Sequence, residues 1–300
     1  MKPYENSDLA CESFSRAPSR QKGVDVTRER RGELEIDRIL IRDEGVAREW
    51  GKPCGMYVTF ACHRLDRLSV EGEQEMITLL AKELSVMAEQ LSGKRLDGSF
   101  AVFAVGLGNA ELTADAVGPA TVGQLVATRH LKEHESMLYD AVGCSLLSTL
   151  APGVLGQTGI EAQELIRGVV DKICPDVVLV IDALAARDCS RLASTIQLSD
   201  AGISPGSGVG NHRAAITKET LGVPVISLGV PTVVSSATLV WDALRQAGIS
   251  EPNESLRGVL ENGKSFFVSL KESDVITKKV SFLLASAIGK AFSGTLCGVD

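Results

Sequence analysis

Hydrophobic and polar positions change their period along this chain, and the changes mark its elements. In GELEIDRILIRDE, residues 32–44, Leu34, Ile36, Ile39 and Ile41 stand among charged neighbours, and MYVTFAC follows at residues 56–62. Both runs predict antiparallel strands ahead of a main sheet. Met76, Leu79, Leu80, Leu84, Met87 and Leu91 recur at helical spacing and predict an amphipathic helix over about residues 73–92. SFAVFAVGLG, residues 99–108, is a continuous apolar run closed by glycines, the pattern of a strand covered on both faces.

From there the order is strand, loop, helix, repeated. Val122, Leu125, Val126 and Leu131 share one face of a helix expected from Asp115 to about Lys132, with Pro119 tolerable near its first turn. Thr158 and Glu161 in TGIE have the spacing of a capping box for a helix completed by Leu165, Ile166, Val169, Val170 and Ile173. DVVLVIDAL (176–184) and PVISLGVPTVV (224–234) are two more buried strands, and helices close the chain at about 236–247 and 274–292. The alternation predicts an α/β fold: a mostly parallel, doubly wound sheet with helices on both faces, plus a small antiparallel N-terminal strand region. Its functional crevice is expected beyond the carboxyl ends of the strands. Residues 15–31, rich in Arg, Ser, Gln and Glu, read as an exposed arm. There is no internal repeat, heptad array or low-complexity tract.

Composition narrows the function classes. With 38 acidic against 31 basic residues and a net charge of −7, many phosphate contacts along a duplex are disfavoured, whereas a basic protein substrate is not. The seven cysteines form no CxxC pair, which fits reduced thiols in a cytosol better than a disulfide framework or a zinc site. The first residues lack the apolar stretch of a secretory signal, and no uninterrupted apolar run reaches spanning length. The expectation is a cytoplasmic protein with no membrane and no nucleic-acid partner.

Two aspartates fall where the crevice is expected. Asp182 closes DVVLVID, and Asp115 lies in the loop leaving AVFAVGLGN, 67 positions earlier. A carboxylate at the end of an apolar run must leave the core or find partners, because an unpaired buried charge costs several kcal/mol. Two carboxylates facing each other cannot both ionise easily, so one pKa rises and the pair holds a proton, a working acid and base. The plainer reading makes Asp115 a helix N-cap and Asp182 a strand-end acceptor. PGSGVGNHR, residues 205–213, sets Gly206, Gly208 and Gly210 at every second position, where backbone amides can hold an anion or an extended peptide. A purely conformational loop fits equally.

Other patterns carry less. Asp200 in SDAGI superficially resembles the Asp-Thr-Gly of two-lobed aspartic proteases, but only one copy exists and Ala201 fills the hydroxyl position. There is no HExxH. His130 and His134 are four apart, yet RHLKEHE reads as a solvated helix end. Pro205 occupies the first glycine position of a GxSxG elbow around Ser207.

Longer blocks carry a family likeness: GLGNAELTADAVGP, TRHL, APGVLGQTGIE, PDVVLVIDALAAR, TIQLSDAGISPGSGVGNHR and ETLGVPVISLGVPTVV, with weaker support in SDLACES. Together they resemble the germination proteases of spore-forming bacteria, endopeptidases that degrade small acid-soluble spore proteins. The resemblance implies an α/β fold related to the hydrogenase-maturation peptidases, a homotetramer, and synthesis as a self-processing zymogen located in the forespore or spore core. By the same resemblance residues 1–8 are the prosegment, residues 9–300 form a single peptidase domain, and Asp115 and Asp182 match the two aspartates proposed as catalytic. Neither a metal nor another cofactor is expected, with Asn109, Gly206, Gly208 and Gly210 around the substrate. The alternatives are a metallopeptidase with the same aspartates, and His130, as ligands, or a non-enzymatic α/β binding module. The chain departs from the family at Ala110, where tryptophan is usual, at Ser235, where an aspartate stands, and in NSD for RTD before Leu9. It also ends about where a long C-terminal region usually continues.

Overall fold

A change of phase in the second strand explains why helices lie on both sides of this sheet. The computed structural model describes residues 7–14, 22–206, 213–249, 253–262 and 266–292. The helices in chain order are α1 (Ala10–Phe14), α2 (Glu44–Trp50), α3 (Val70–Ser92), α4 (Val117–Val122), α5 (Arg129–His134), α6 (Ser136–Val142), α7 (Leu155–Thr158), α8 (Ala162–Ile173), α9 (Lys218–Leu221), α10 (Ser236–Gln246), α11 (Glu254–Asn262) and α12 (Ser273–Phe292). The strands are β1 (Val24–Arg31), β2 (Leu34–Ile41), β3 (Gly55–Ala61), β4 (Ala101–Gly106), β5 (Leu146–Leu150), β6 (Val177–Ala186), β7 (Thr195–Ser199), β8 (Val225–Ser235) and β9 (Phe267–Ser269).

In β2, Leu34 and Ile36 join the core under α3, whereas Ile39 and Ile41, of opposite parity, join a second core with Val46, Ala47 and Trp50 of α2. Arg38 falls on the α3 side, and its Nε donates to Glu83 at 3.1 Å. The first core runs beneath α3, α4 and α12. A third core sets Ile166 and Val170 of α8 against Phe103, Val105, Val178 and Val180. Each fully buried aliphatic side chain there contributes about 1.5–3 kcal/mol relative to exposure.

The sheet has nine strands in the order β1-β2-β3-β7-β8-β6-β4-β5, with β9 on the far part of β8. β5, β4, β6 and β8 are mutually parallel. All other pairings are antiparallel. The expected parallel arrangement therefore holds for the central strands only. The N-terminal strands β1, β2 and β3 form the expected antiparallel region, and β7 joins them to β8 in the same sheet. β7 is five residues long, too short a run for its pattern to announce it.

Several local expectations are corrected. Val24–Arg31, read as part of an arm, is the outer strand of a hairpin with β2, while residues 15–21 lie outside the described residues. The single helix expected over 115–132 is a 3-10 turn at Thr113–Asp115 followed by α4 and α5. Thr128 breaks it: fully buried, its hydroxyl donates to Ser145 O at 2.6 Å and accepts Leu147 N–H at 2.8 Å. Anchoring to β5 thus overrides helical periodicity. The expected capping box is absent as well. Thr158 ends α7 before the left-handed Gly159, and α8 starts after Glu161 without a side-chain cap. Ser235 caps α10 by accepting Thr238 N–H at 3.0 Å, a capping role that aspartate also fills. Among the described residues, no helix is long and apolar enough to cross a membrane.

Candidate active site

The cleft opens where β4 and β6 part. Gly106, the last residue of β4, lies opposite Ile181, and Leu107 N–H donates to Ile181 O at 2.8 Å. Beyond that bond β6 continues to Ala186, paired with β8 alone, and Asp182 stands opposite Gly229. Asp182 is thus inside a strand, at the point where its neighbour leaves, rather than past the strand's end. β4 lies between β5 and β6, so the chain's connections diverge on either side of it and leave a crevice at its carboxyl end.

Asp115 is brought to the crevice by a tightly built return. Gly108 has φ +114°, and a Cβ there would lie 2.0 Å from Asp115 O. Gly118 allows the start of α4 to approach the strands, since a Cβ would lie 2.3 Å from Leu107 O and 2.5 Å from Ile181 O. The turn is pinned from two other elements: Thr232 of β8 donates to Ala114 O at 2.6 Å and Thr277 of α12 to Thr113 O at 3.1 Å. Asn109 N–H donates to Asp115 Oδ2 at 2.7 Å.

Both aspartates line one cavity of about 360 Å³, together with Asp8, Gly108, Gly206, Arg213, Thr232 and Phe267. Gly206 takes φ +73° at its rim, whereas Gly208 and Gly210 lie outside the described residues. Asn109 is not among the lining residues; its backbone N–H serves Asp115, and its Oδ1 accepts from Gln157 Nε2 at 3.0 Å. Asp200 lies elsewhere, accepting Met56 N–H at 2.7 Å beside β3. His130, on α5, does not line the cavity. Among the described residues, no three His, Cys, Asp or Glu side chains are grouped to hold a metal ion.

Asp182 is 6% exposed. Burial, then the charge of Asp115, then that of Asp8 push its pKa well above the ordinary carboxylate range, against one hydrogen bond from Ala183 N–H. Burial also raises Asp115, opposed by Asn109 N–H. The neutral form of one member is therefore favoured, and the cleft can hold a proton between two carboxyl groups. Asp8 was not placed beside the pair by periodicity. The one local signal was the apolar Leu9-Ala10-Cys11 inside a polar stretch, and these residues are buried.

The raised Asp182 pKa has a consequence for stability. The folded protein binds a proton more tightly than the unfolded chain, so stability falls as pH rises from the unfolded carboxylate pKa through the folded one. Asp182→Asn removes this term. The variant should melt higher than the parent at pH 7, by about 2–6 °C for a gain of the size typical when a strained active-site group is neutralised. The gap should close near pH 4. Equal melting temperatures across that range would contradict the burial argument.

An α/β protein with one buried and one half-buried carboxyl group lining one cleft at the open end of its parallel strands is the class that this geometry defines. Residues 5–247 match the sequence profile of the germination proteases. The chain is 38% identical over 308 aligned residues to the germination protease of Caldanaerobacter subterraneus, covering 95% of this chain and 93% of that one. The Clostridium acetobutylicum germination protease is 40% identical, with 91% and 80% covered, and that of Bacillus cereus strain G9842 is 38% identical, with 94% and 80% covered. The chain belongs to the germination protease family, and by that membership it is a peptidase.

Proposed function

We propose that this protein is an endopeptidase that begins the degradation of small acid-soluble spore proteins during germination, using Asp115 and Asp182 as its acid–base pair. The observation that carries this reading is the strongly raised carboxyl of Asp182 sharing one cavity with Asp115. One carboxylate takes a proton from water as its oxygen adds to the scissile carbonyl carbon. The protonated partner polarises the carbonyl and then protonates the departing amine. This is general acid–base catalysis with no covalent enzyme intermediate. Family membership supports the peptidase half of the reading.

In the same reading the chain is made as a zymogen with residues 1–8 as prosegment and residues 9–300 as one domain, assembles as a homotetramer and works in the spore core. The position of Asp8 on the wall of the cavity supports a cut near it. The acidic net charge of −7 suits a basic protein substrate.

The test is direct. Purified protein from which residues 1–8 have been removed, incubated with a small acid-soluble spore protein, is expected to give a few discrete fragments by mass spectrometry, at a rate unchanged by EDTA. Intact substrate after prolonged incubation would sink the reading, and rate loss restored by added metal would replace it with a metallopeptidase.

A further inference from the structure

A strand alternates its side chains between the two faces of a sheet, and β8 breaks that alternation at the cleft. Its pairing with β6 runs in step from Val225 opposite Val178 to Pro231 opposite Leu184, but the residue opposite Ala185 is Val233. Thr232 is the extra residue of a β-bulge, and as a result the consecutive Thr232 and Val233 both line the aspartate cavity. Pro231, with no N–H to give to a ladder, suits the point of interruption. Its carbonyl accepts Ala193 N–H at 3.2 Å. Ala193 is buried and held at φ +52°, a left-handed conformation that strains alanine and persists only where the surrounding structure demands it.

The bulge aims one side chain at the turn of Asp115. Thr232 Oγ1 donates to Ala114 O at 2.6 Å, and Thr277 Oγ1, from α12, donates to Thr113 O at 3.1 Å. Two hydroxyls on separate elements thus hold the two carbonyls that immediately precede Asp115. Behind the turn they meet Ala193, Pro231 and Ile276 around a void of about 10 Å³, scarcely room for one water molecule. The carboxyl of Asp115 takes its hydrogen bond from Asn109 N–H, inside the same turn, so it travels with the turn. β8 is therefore the common reference of both acids: it pairs with β6 along Asp182 and reaches the Asp115 turn through Thr232.

We propose that Thr232 is a positioning residue for the acid pair: the bulge directs its hydroxyl to the turn of Asp115, and that bond, seconded by Thr277, sets the reach from Asp115 to Asp182. The inference rests on the peptidase reading above and gives Thr232 no contact with the reacting atoms. Loss of the hydroxyl takes that donor from Ala114 O and frees the turn to carry its carboxyl outward, away from the buried Asp182. A displacement of about 1 Å in a reacting group costs up to about 10²-fold in rate. The charge of Asp115 then presses less on Asp182, whose pKa should fall toward the ordinary carboxylate range.

Thr232→Val and Thr232→Ser are made in protein from which residues 1–8 have been removed, and cleavage of a small acid-soluble spore protein is followed across pH. Valine keeps the branched shape and lacks the donor, so kcat should fall by about 10–100-fold with KM little changed. The two limbs of its pH profile should draw together, because the carboxyls are less strongly coupled. Serine restores the donor and should recover most of the lost rate. Thr277→Val, at a residue outside the cavity, should give the same signature more weakly, and a loss there cannot come from substrate contact. A Thr232→Val enzyme with the parental kcat and pH profile overturns the assignment, as does a serine variant as slow as the valine one. If Thr232→Val does not fold, Thr277→Val decides, and parental behaviour there overturns the proposal. If the parent cleaves nothing, the peptidase reading falls by itself, and the titration of the Asp182 carboxyl by carbon NMR in the parent and Thr232→Val carries the test. A lowered pKa in the variant supports the positioning role, and an unchanged titration overturns it.

Discussion

Replacing Asp115 or Asp182 by asparagine is expected to lower kcat/KM for spore-protein cleavage by about 10²–10⁴-fold, the range for losing a positioned acid or base. Asparagine keeps the shape and most hydrogen bonds of each site. Asp115 would still accept Asn109 N–H and Asp182 would still accept Ala183 N–H through their side-chain oxygens. The loss should therefore fall on kcat with KM nearly unchanged. Because the two groups act on one proton inventory, the double variant should be scarcely slower than the worse single variant. The parent enzyme should show a bell-shaped pH profile whose limbs belong to the pair rather than to either residue. Single variants that cleave at near parental rate, or losses that simply multiply, would remove the pair from the chemistry.

Gly108→Ala should be the most damaging small change outside the carboxylates. Its φ of +114° is strained for any L side chain, and the new Cβ would meet Asp115 O at 2.0 Å, a backbone atom that cannot rotate away. Strain of about 1–3 kcal/mol adds to an overpacking cost of similar size, so a loss of about 3 kcal/mol or more is expected. For a domain of this size that lowers the melting temperature by roughly 6–12 °C. Relief can come only by moving the turn that carries Asp115, so folded Gly108→Ala protein should also lose activity. A variant that melts and cleaves as the parent does would show that the loop adjusts freely, contrary to its anchoring by Thr232 and Thr277.

Much of this architecture could be read from the chain. The apolar runs of β4, β6 and β8 and the spacing of α3 and α12 are local patterns, and local patterns persist in any fold that buries them. The two aspartates were visible because a carboxylate that interrupts an apolar run is costly unless something answers it. The family likeness rests on blocks of sequence too long for chance.

Elsewhere the tertiary structure decided. Thr128 ended a helix that periodicity continued, because β5 offered its hydroxyl two backbone partners. β7 became the bridge between parallel and antiparallel strands through pairings with β3 and β8 that a five-residue run does not encode locally. Residue types and spacing determined that Asp115 and Asp182 needed partners. Only the divergence of β4 from β6 determined that they share one cleft, with Asp8 as a third carboxylate. A pattern along the chain reports the period of burial, whereas the pKa of a buried acid depends on charges that arrive from distant segments.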